Sequence, residues 1–174
     1  MGLNNRVLRS IALLSITLLA VTACSISYRF NGASIDYTKV QTLSIADFPN
    51  RAPLVFPALA QMVSEGLRDQ FSRQTRLEFQ RTGGDLQIDG EITGYEVANM
   101  AVGADAYATE AKLTVTVMVR FTNKKDPTED FEQSFSAFRT FSGSMMLSDV
   151  QDQLCAEIVE ELSDIIFNAC VARW

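Results

Sequence analysis

The sequence predicts an α+β fold, a two-layer sandwich in which a mostly antiparallel four- to five-stranded sheet packs against two amphipathic helices. Three observations carry this. Residues 113–121 alternate strictly, with Leu113, Val115, Val117, Val119 and Phe121 separated by Thr114, Thr116, Met118 and Arg120, the period of a strand with one buried face. Two segments repeat apolar residues every three or four positions, the period of a helix. The elements run strand, helix, several strands, helix, so the helices must share one face of the sheet.

The elements follow in chain order. Ile26–Phe30 alternates and ends at Asn31-Gly32, as a short strand or extended tether closed by a turn. Val40–Phe48 is the next strand, with Leu43 and Ile45 on one face, and Pro49-Asn50-Arg51-Ala52-Pro53 breaks it. A helix is expected from about Val55 to Gln74. Leu59, Met62, Val63, Leu67 and Phe71 form its apolar face, and Pro57 is tolerated only in the first turn. Arg76–Arg81 is a strand ending at the turn Thr82-Gly83-Gly84-Asp85. A long strand runs from Leu86 to about Val102, with Gly90 and Gly94 signalling a bulge or tight twist. After the 113–121 strand, Asn123–Thr128 (NKKDPT) turns the chain into a partner strand over Asp130–Phe141. The closing helix spans Ser148 to about Ala172, with Ser148 and Gln151 spaced as a capping box. Its stripe is read as Val150, Leu154, Ile158, Leu162, Ile165 and Ala169.

The N-terminus has a different character. Met1–Ser10 holds Arg6 and Arg9 and no acid, Ile11–Val21 is almost wholly apolar, and Val21-Thr22-Ala23 leads into Cys24. This is the layout of a bacterial secretory signal. The apolar run is shorter than the roughly 20 residues that cross a bilayer. Residues 1–23 are therefore a cleaved signal peptide, 24–38 a lipidated tether, and 39–174 a single α/β domain. The four residues ending at Cys24 resemble the lipobox of bacterial lipoproteins, which implies diacylglycerol on the sulfur and an acyl chain on the new amino terminus. Two or more chains, at about 0.8 kcal/mol per buried CH₂, anchor stably. Ser25, where an inner-membrane lipoprotein of the enterobacterial type would carry Asp, implies the periplasmic face of the outer membrane.

Removing Arg6 and Arg9 with the signal takes the formal net charge from −6 to −8. An acidic domain is a poor general partner for nucleic acid. The chain has no histidine, which removes the usual general base and the Ser-His-Asp and Cys-His constellations. Cys155 and Cys170 fall on the closing helix, about 22 Å apart along its axis, too far for an internal disulfide. They read as small buried hydrophobes, with a reactive or intermolecular thiol as the alternative. Gly83-Gly84-Asp85 lacks the lysine of a phosphate loop and leads into a strand. Asp85, Asp89 and Glu91 are read as acids of a solvated strand, against a metal or acid-pair reading. No cofactor, metal or enzymatic activity is expected.

Two features suggest binding. Arg120 and Arg139 sit on the last two strands with Lys124 and Lys125 at the turn between them. They are either solubilising charge or an anion site suited to phosphate. Asn99–Thr109 (NMAVGADAYAT) carries one charge, Asp105. This hairpin tip, with Met100, Val102 and Tyr107, either contacts a partner or lipid or folds back on the domain.

Phe48–Val55 (FPNRAPLV), Leu67–Phe71 (LRDQF), Gln74–Leu77 (QTRL), Gly84–Leu86 (GDL) and Gly90–Tyr95 (GEITGY) together resemble the LptE-like lipoproteins of the Bacteroidetes. So do Lys125–Pro127 (KDP), Asp130–Phe135 (DFEQSF) and Ile166–Asn168 (IFN). The resemblance covers nearly all of the chain after Cys24 and is most specific from Phe48 to Tyr95. It implies an α/β sandwich and a role in lipopolysaccharide assembly. The partner would be an LptD-type outer-membrane β-barrel, which the lipoprotein plugs and helps to fold, and lipopolysaccharide would be a ligand. An adaptor or pilot lipoprotein of another envelope complex is the second reading, and a carboxylate hydrolase the weakest.

Overall fold

The computed structural model describes residues 35–54, 56–100 and 110–171. The signal segment, Cys24, the 26–30 strand and the tip residues Val102 and Tyr107 lie outside them. The elements are β1 (Thr42–Ile45), α1 (Leu59–Gln74), β2 (Glu78–Phe79), β3 (Leu86–Met100), β4 (Glu110–Asn123), a single 3₁₀ turn (Pro127–Glu129), β5 (Phe131–Ser142) and α2 (Leu147–Val171). The strands form one sheet in the order β2-β1-β3-β4-β5. The long pairings, β3 with β4 and β4 with β5, are antiparallel. β1 lies parallel to both β2 and β3. The predicted α+β class and five-stranded, mostly antiparallel sheet are what the chain adopts.

Alternation decides which face is buried. The odd residues of β4 from Ala111 to Phe121 are at most 3% exposed and face the helices, while the even ones line the opposite, open face. Burying each Val, Leu or Phe here stabilises the fold by roughly 1.5–3 kcal/mol. The predicted bulge occurs in β3, where the register with β4 shifts between Ile92 and Gly94. Gly90 has a packing reason instead. A Cβ at that position would lie 2.1 Å from the Met118 carbonyl oxygen and 2.6 Å from Phe48 Cε1, so only glycine lets β4 and Phe48 close on it.

Helix α1 begins at Leu59, so Pro57 stands before its first turn rather than within it. Residues 48–52 run beside β3. Ile92 N–H donates to the Pro49 carbonyl and Arg51 N–H to the Ile92 carbonyl, at 2.9 and 2.8 Å. Asn50 Oδ1 accepts from Ala52 N–H at 2.9 Å, and Ser64 Oγ on α1 accepts from Phe48 N–H at 3.0 Å. The Pro-Asn-Arg segment thus breaks β1 and pins α1 to β3.

Helix α2 departs from its predicted detail in two ways. Ser148 does not cap it: the helix already contains Ser148, whose hydroxyl bonds to Asp149 at 3.3 Å, and the Gln151 amide oxygen accepts from Tyr95 Oη at 3.4 Å. The buried stripe runs Leu154, Ile158, Leu162, Ile166 and Cys170, with Ile165 37% exposed. The four-residue step continues past Leu162, where a three-residue step was expected. The two helices meet where Gly66 lies against Val159 and Ser163, and Phe71 packs edge-to-face on Phe167 at 4.9 Å. Cys155 and Cys170 are both buried, and burial pushes the Cys155 thiol up to about 11. A raised thiol at Cys155 disfavours the thiolate there, in keeping with a small buried hydrophobe.

Candidate functional site

The structure separates the four basic residues that the sequence grouped. Arg120 lies on the open face of the sheet, opposite Glu132 on β5 and Asp89 on β3. It binds both, with Nη1 to Asp89 Oδ1 at 2.7 Å and Nε to Glu132 Oε2 at 3.2 Å. Arg139 pairs across from Leu113, whose side chain is in the core, and so points to the helix side. There its Nε meets Glu157 Oε2 at 3.1 Å, Nη2 meets the Glu157 carbonyl at 3.2 Å, and Nη1 bonds to Glu161. The two arginines occupy opposite faces and do not come together, because their strand positions differ in parity. Each is neutralised by two carboxylates. Hydrogen bonds, chiefly those that Arg120 donates to Glu132 and Arg139 to Glu161, raise both guanidinium pKa values. Arg139 clamps edge strand β5 to α2.

Lys124 and Lys125 do sit together at the β4–β5 turn, but each holds a partner. Lys124 Nζ donates to the Gly83 carbonyl at 2.8 Å, and Lys125 Nζ pairs with Asp85 Oδ1 at 3.0 Å. Asp85 is the centre of a clasp that sequence reasoning left as a solvated acid. Its Oδ2 accepts from Gln41 and Thr42 N–H at 3.0 and 3.2 Å, and its own N–H donates to Thr42 Oγ1 at 2.8 Å. The Gln41 N–H, then Lys125, hold its carboxyl well below the usual carboxylate range. Gly83 takes φ +81° in the turn before it, and Gly84 abuts the β1 backbone so closely that a Cβ would lie 2.7 Å from Ser44 N. Gly83-Gly84-Asp85 therefore fastens β1 and the β4–β5 turn to the start of β3. Asp89 serves Arg120, and among the described residues no cluster of three or more Cys, Asp or Glu side chains is arranged to hold a metal.

Beside the clasp a cavity of about 310 Å³ opens between Ile35, Val40, Leu86, Phe121, Asn123 and Val171. The two lysines at its edge are already paired, Lys39 with Asp36 at 3.5 Å and Lys125 with Asp85.

The other end of the sheet is built differently. β3 and β4 remain paired out to Met100 and Glu110, yet every β3 residue from Glu96 to Met100 is exposed. Met100, the described member of the predicted contact tip, is 40% exposed and is not buried against the domain. Met145 and Met146, which sequence reasoning passed over, are exposed in the nearby connection to α2. Two consecutive methionines in a polar connection, Ser142-Gly143-Ser144-Met145-Met146, were the available signal.

A family model described as "LptE: Lipopolysaccharide-assembly" matches residues 40–170. No curated protein sequence matches the chain significantly. Among solved structures, a minor lipoprotein of Acinetobacter baumannii superposes with a TM-score of 0.50 at 12% identity, over 74% of this chain and 90% of that one. A hypothetical protein of Chlamydia trachomatis gives 0.50 at 9% identity over 77% and 99%. The rare lipoprotein B of Shewanella oneidensis gives 0.46 at 14% over 74% and 92%. At these identities the first two likenesses speak to the fold.

Proposed function

The chain belongs to the LptE lipopolysaccharide-assembly family, and we propose that it acts there as an outer-membrane lipoprotein, anchored through Cys24, that plugs an LptD-type β-barrel and helps it fold. The family match over residues 40–170 carries this reading. The signal-like N-terminus and the Ala23-Cys24 junction support the anchor, with residues 24–38 as tether. The exposed end of the β3–β4 hairpin, with Met100 and the adjoining Val102 and Tyr107, is the side offered to the barrel. Lipopolysaccharide is the ligand of the same assembly. In this reading its phosphates are met by Lys124 and Lys125 at one turn and by Arg120 and Arg139 separately, since the arginines do not form a joint site.

The test is gentle detergent extraction of the envelope and affinity purification through a C-terminal tag, followed by mass spectrometry. Stoichiometric recovery of a large membrane-spanning β-barrel together with a lipid-modified Cys24 peptide is the expected result. Recovery of a different envelope complex, with no such barrel, would replace this reading with that of an adaptor or pilot lipoprotein.

A further inference from the structure

The sheet ends differently on its two sides. One side stops at β2, a strand of two residues. The other stops at β5, whose 12 residues (FEQSFSAFRTFS) contain no proline and no lysine and keep one unbroken register with β4. Natural sheet edges are blunted by short strands, proline, lysine or a bulge. β2 is blunted by its length, β5 has none of these devices, and among the described residues no strand lies beyond it. Two hydrogen bonds show where its backbone points. Asn123 N–H donates to Asp130 Oδ1 at 2.7 Å and Lys124 N–H to the Asp85 carbonyl at 2.9 Å. Odd residues of β4 therefore turn their backbone toward β5 and even ones toward β3. With Phe121 opposite Phe131, Glu132, Ser134 and Ser136 direct their N–H and C=O groups away from the sheet. Their side chains lie on the open face, and those of Phe131, Gln133 and Phe135 on the helix side.

We propose that residues 26–30 (ISYRF) of the same chain add to this edge as a further strand antiparallel to β5, with Phe30 opposite Phe131, Arg29 opposite Glu132 and Ile26 opposite Phe135. Composition favours it, because Ile26, Tyr28 and Phe30 alternate with Ser27 and Arg29 and β-branched and aromatic residues suit strands. The path of the chain sets place and direction. Ile35 lines the cavity with Leu86 and Phe121, at the end of the sheet where β5 begins. Residues 31–34 let Phe30 lie at most about 17 Å from Ile35, roughly three strand spacings. Phe30 thus reaches the Phe131 end of the edge, and the segment runs against β5. Parity sets the register. Residues opposite each other in an antiparallel pair share a face, so Ile26, Tyr28 and Phe30 fall on the helix side, beside Phe131 and Phe135. Ser27 and Arg29 fall on the open face, where the Arg29 charge meets Glu132. A slip of one residue would turn every apolar side chain to solvent. One consequence rests on the reading of Cys24 as the lipid anchor. Of the eleven residues 24–34, Cys24 and Ser25 alone would then separate the lipid from the sheet, and the β5 edge would be held against the membrane.

The experiment oxidises the full-length protein in isolated envelopes, with Tyr28→Cys and Gln133→Cys combined. In the proposed register these two positions form a non-hydrogen-bonded pair with Cα atoms about 4.5 Å apart, within the span of a disulfide. The control combines Tyr28→Cys with Thr140→Cys, roughly 24 Å further along β5. Mass spectrometry should find a disulfide within one chain for the first pair and none for the control. As a second measurement, Arg29→Pro removes one N–H of the pairing. Hydrogen exchange over residues 132–136 should then become about tenfold faster than in wild type, while residues 86–92 stay protected. Linking of both pairs or of neither, or equal exchange over 132–136 in wild type and Arg29→Pro, would overturn the strand. A disulfide joining two chains would overturn it in favour of a second copy on this edge. A Cys24 peptide without lipid, found while both strand tests succeed, would overturn the anchor reading and its consequence and leave the strand standing.

Discussion

The two halves of β3 lie in one unbroken ladder and behave as different materials. From Leu86 to Tyr95 the strand turns its inward side chains into the core, is flanked by β1 and fastened by the Asp85 clasp, with Ile88 and Ile92 at most 1% exposed. From Glu96 to Met100 it keeps its pairing to β4 but loses its cover, and apolar side chains stand in solvent. Backbone pairing alone does not need a core on that face; side-chain burial does. The near half therefore contributes stability and the far half contributes surface, and substitutions should separate the two.

The largest expected effect is at the near half. Ile88→Ala removes a fully enclosed side chain and should cost about 2–5 kcal/mol in urea unfolding; the far-half counterpart, Val97→Ala, should cost less than about 0.5 kcal/mol. Equal losses at both sites would erase the distinction. Next is Gly90→Ala, whose Cβ would meet the Met118 carbonyl and Phe48. A loss of about 2–3 kcal/mol is expected, the overpacking cost of a site that cannot relax, and a stabilised variant would show that β4 is free to shift. Smaller is Asp85→Ala, which leaves two backbone N–H groups and Lys125 without their acceptor and should cost about 2 kcal/mol at neutral pH. The depressed carboxyl sets the sign of the pH dependence. Its contribution is complete above the ordinary carboxylate value of 3.8 and is lost as the pH falls below it toward the folded-state value. The gap between wild type and variant should therefore begin to narrow below about pH 4 and close only as the pH approaches the depressed folded-state value, and a gap that does not narrow at all on acidification would assign the clasp to something other than charge. The smallest effect on folding is expected from Met145→Ser with Met146→Ser, within about 0.5 kcal/mol of wild type by thermal melting.

The same division explains what was legible in the sequence. Strict alternation in β4 and the apolar repeats of the helices revealed the two-layer fold, because those patterns record burial directly. The stripe of α2 was misread beyond Leu162, where Ile165 and Ile166 are equally apolar and only packing against Phe71 and the sheet decides which turns inward. Ser148-x-x-Gln151 looked like a cap, but tertiary contact recruits Gln151 to Tyr95 and the helix starts earlier. The arginine pair was misjudged because parity was not carried across the β4–β5 turn. Eighteen residues of strand and turn separate the two arginines and hide which faces meet, and only the register of Arg120 with Glu132 and of Leu113 with Arg139 settles it. The Asp85 clasp was invisible because its partners, Gln41, Thr42 and Lys125, lie about forty residues away on either side. Met145 and Met146 carry no periodic signal, and only the register that sets Met100 and Ser142 across from Glu110 brings their connection to this end of the sheet.

In the proposed role, this member of the lipopolysaccharide-assembly family would meet the barrel with the uncovered far end of the sheet while the clasped near end holds the fold. Hydrogen–deuterium exchange of the purified complex against the free domain tests it most directly. New protection is predicted over Glu96–Met100 and Ser142–Leu147 on binding, with Leu86–Ile92 equally protected in both states. Protection gained instead on the outer surface of the helices or around the Asp85 clasp, with the far end unchanged, would contradict it.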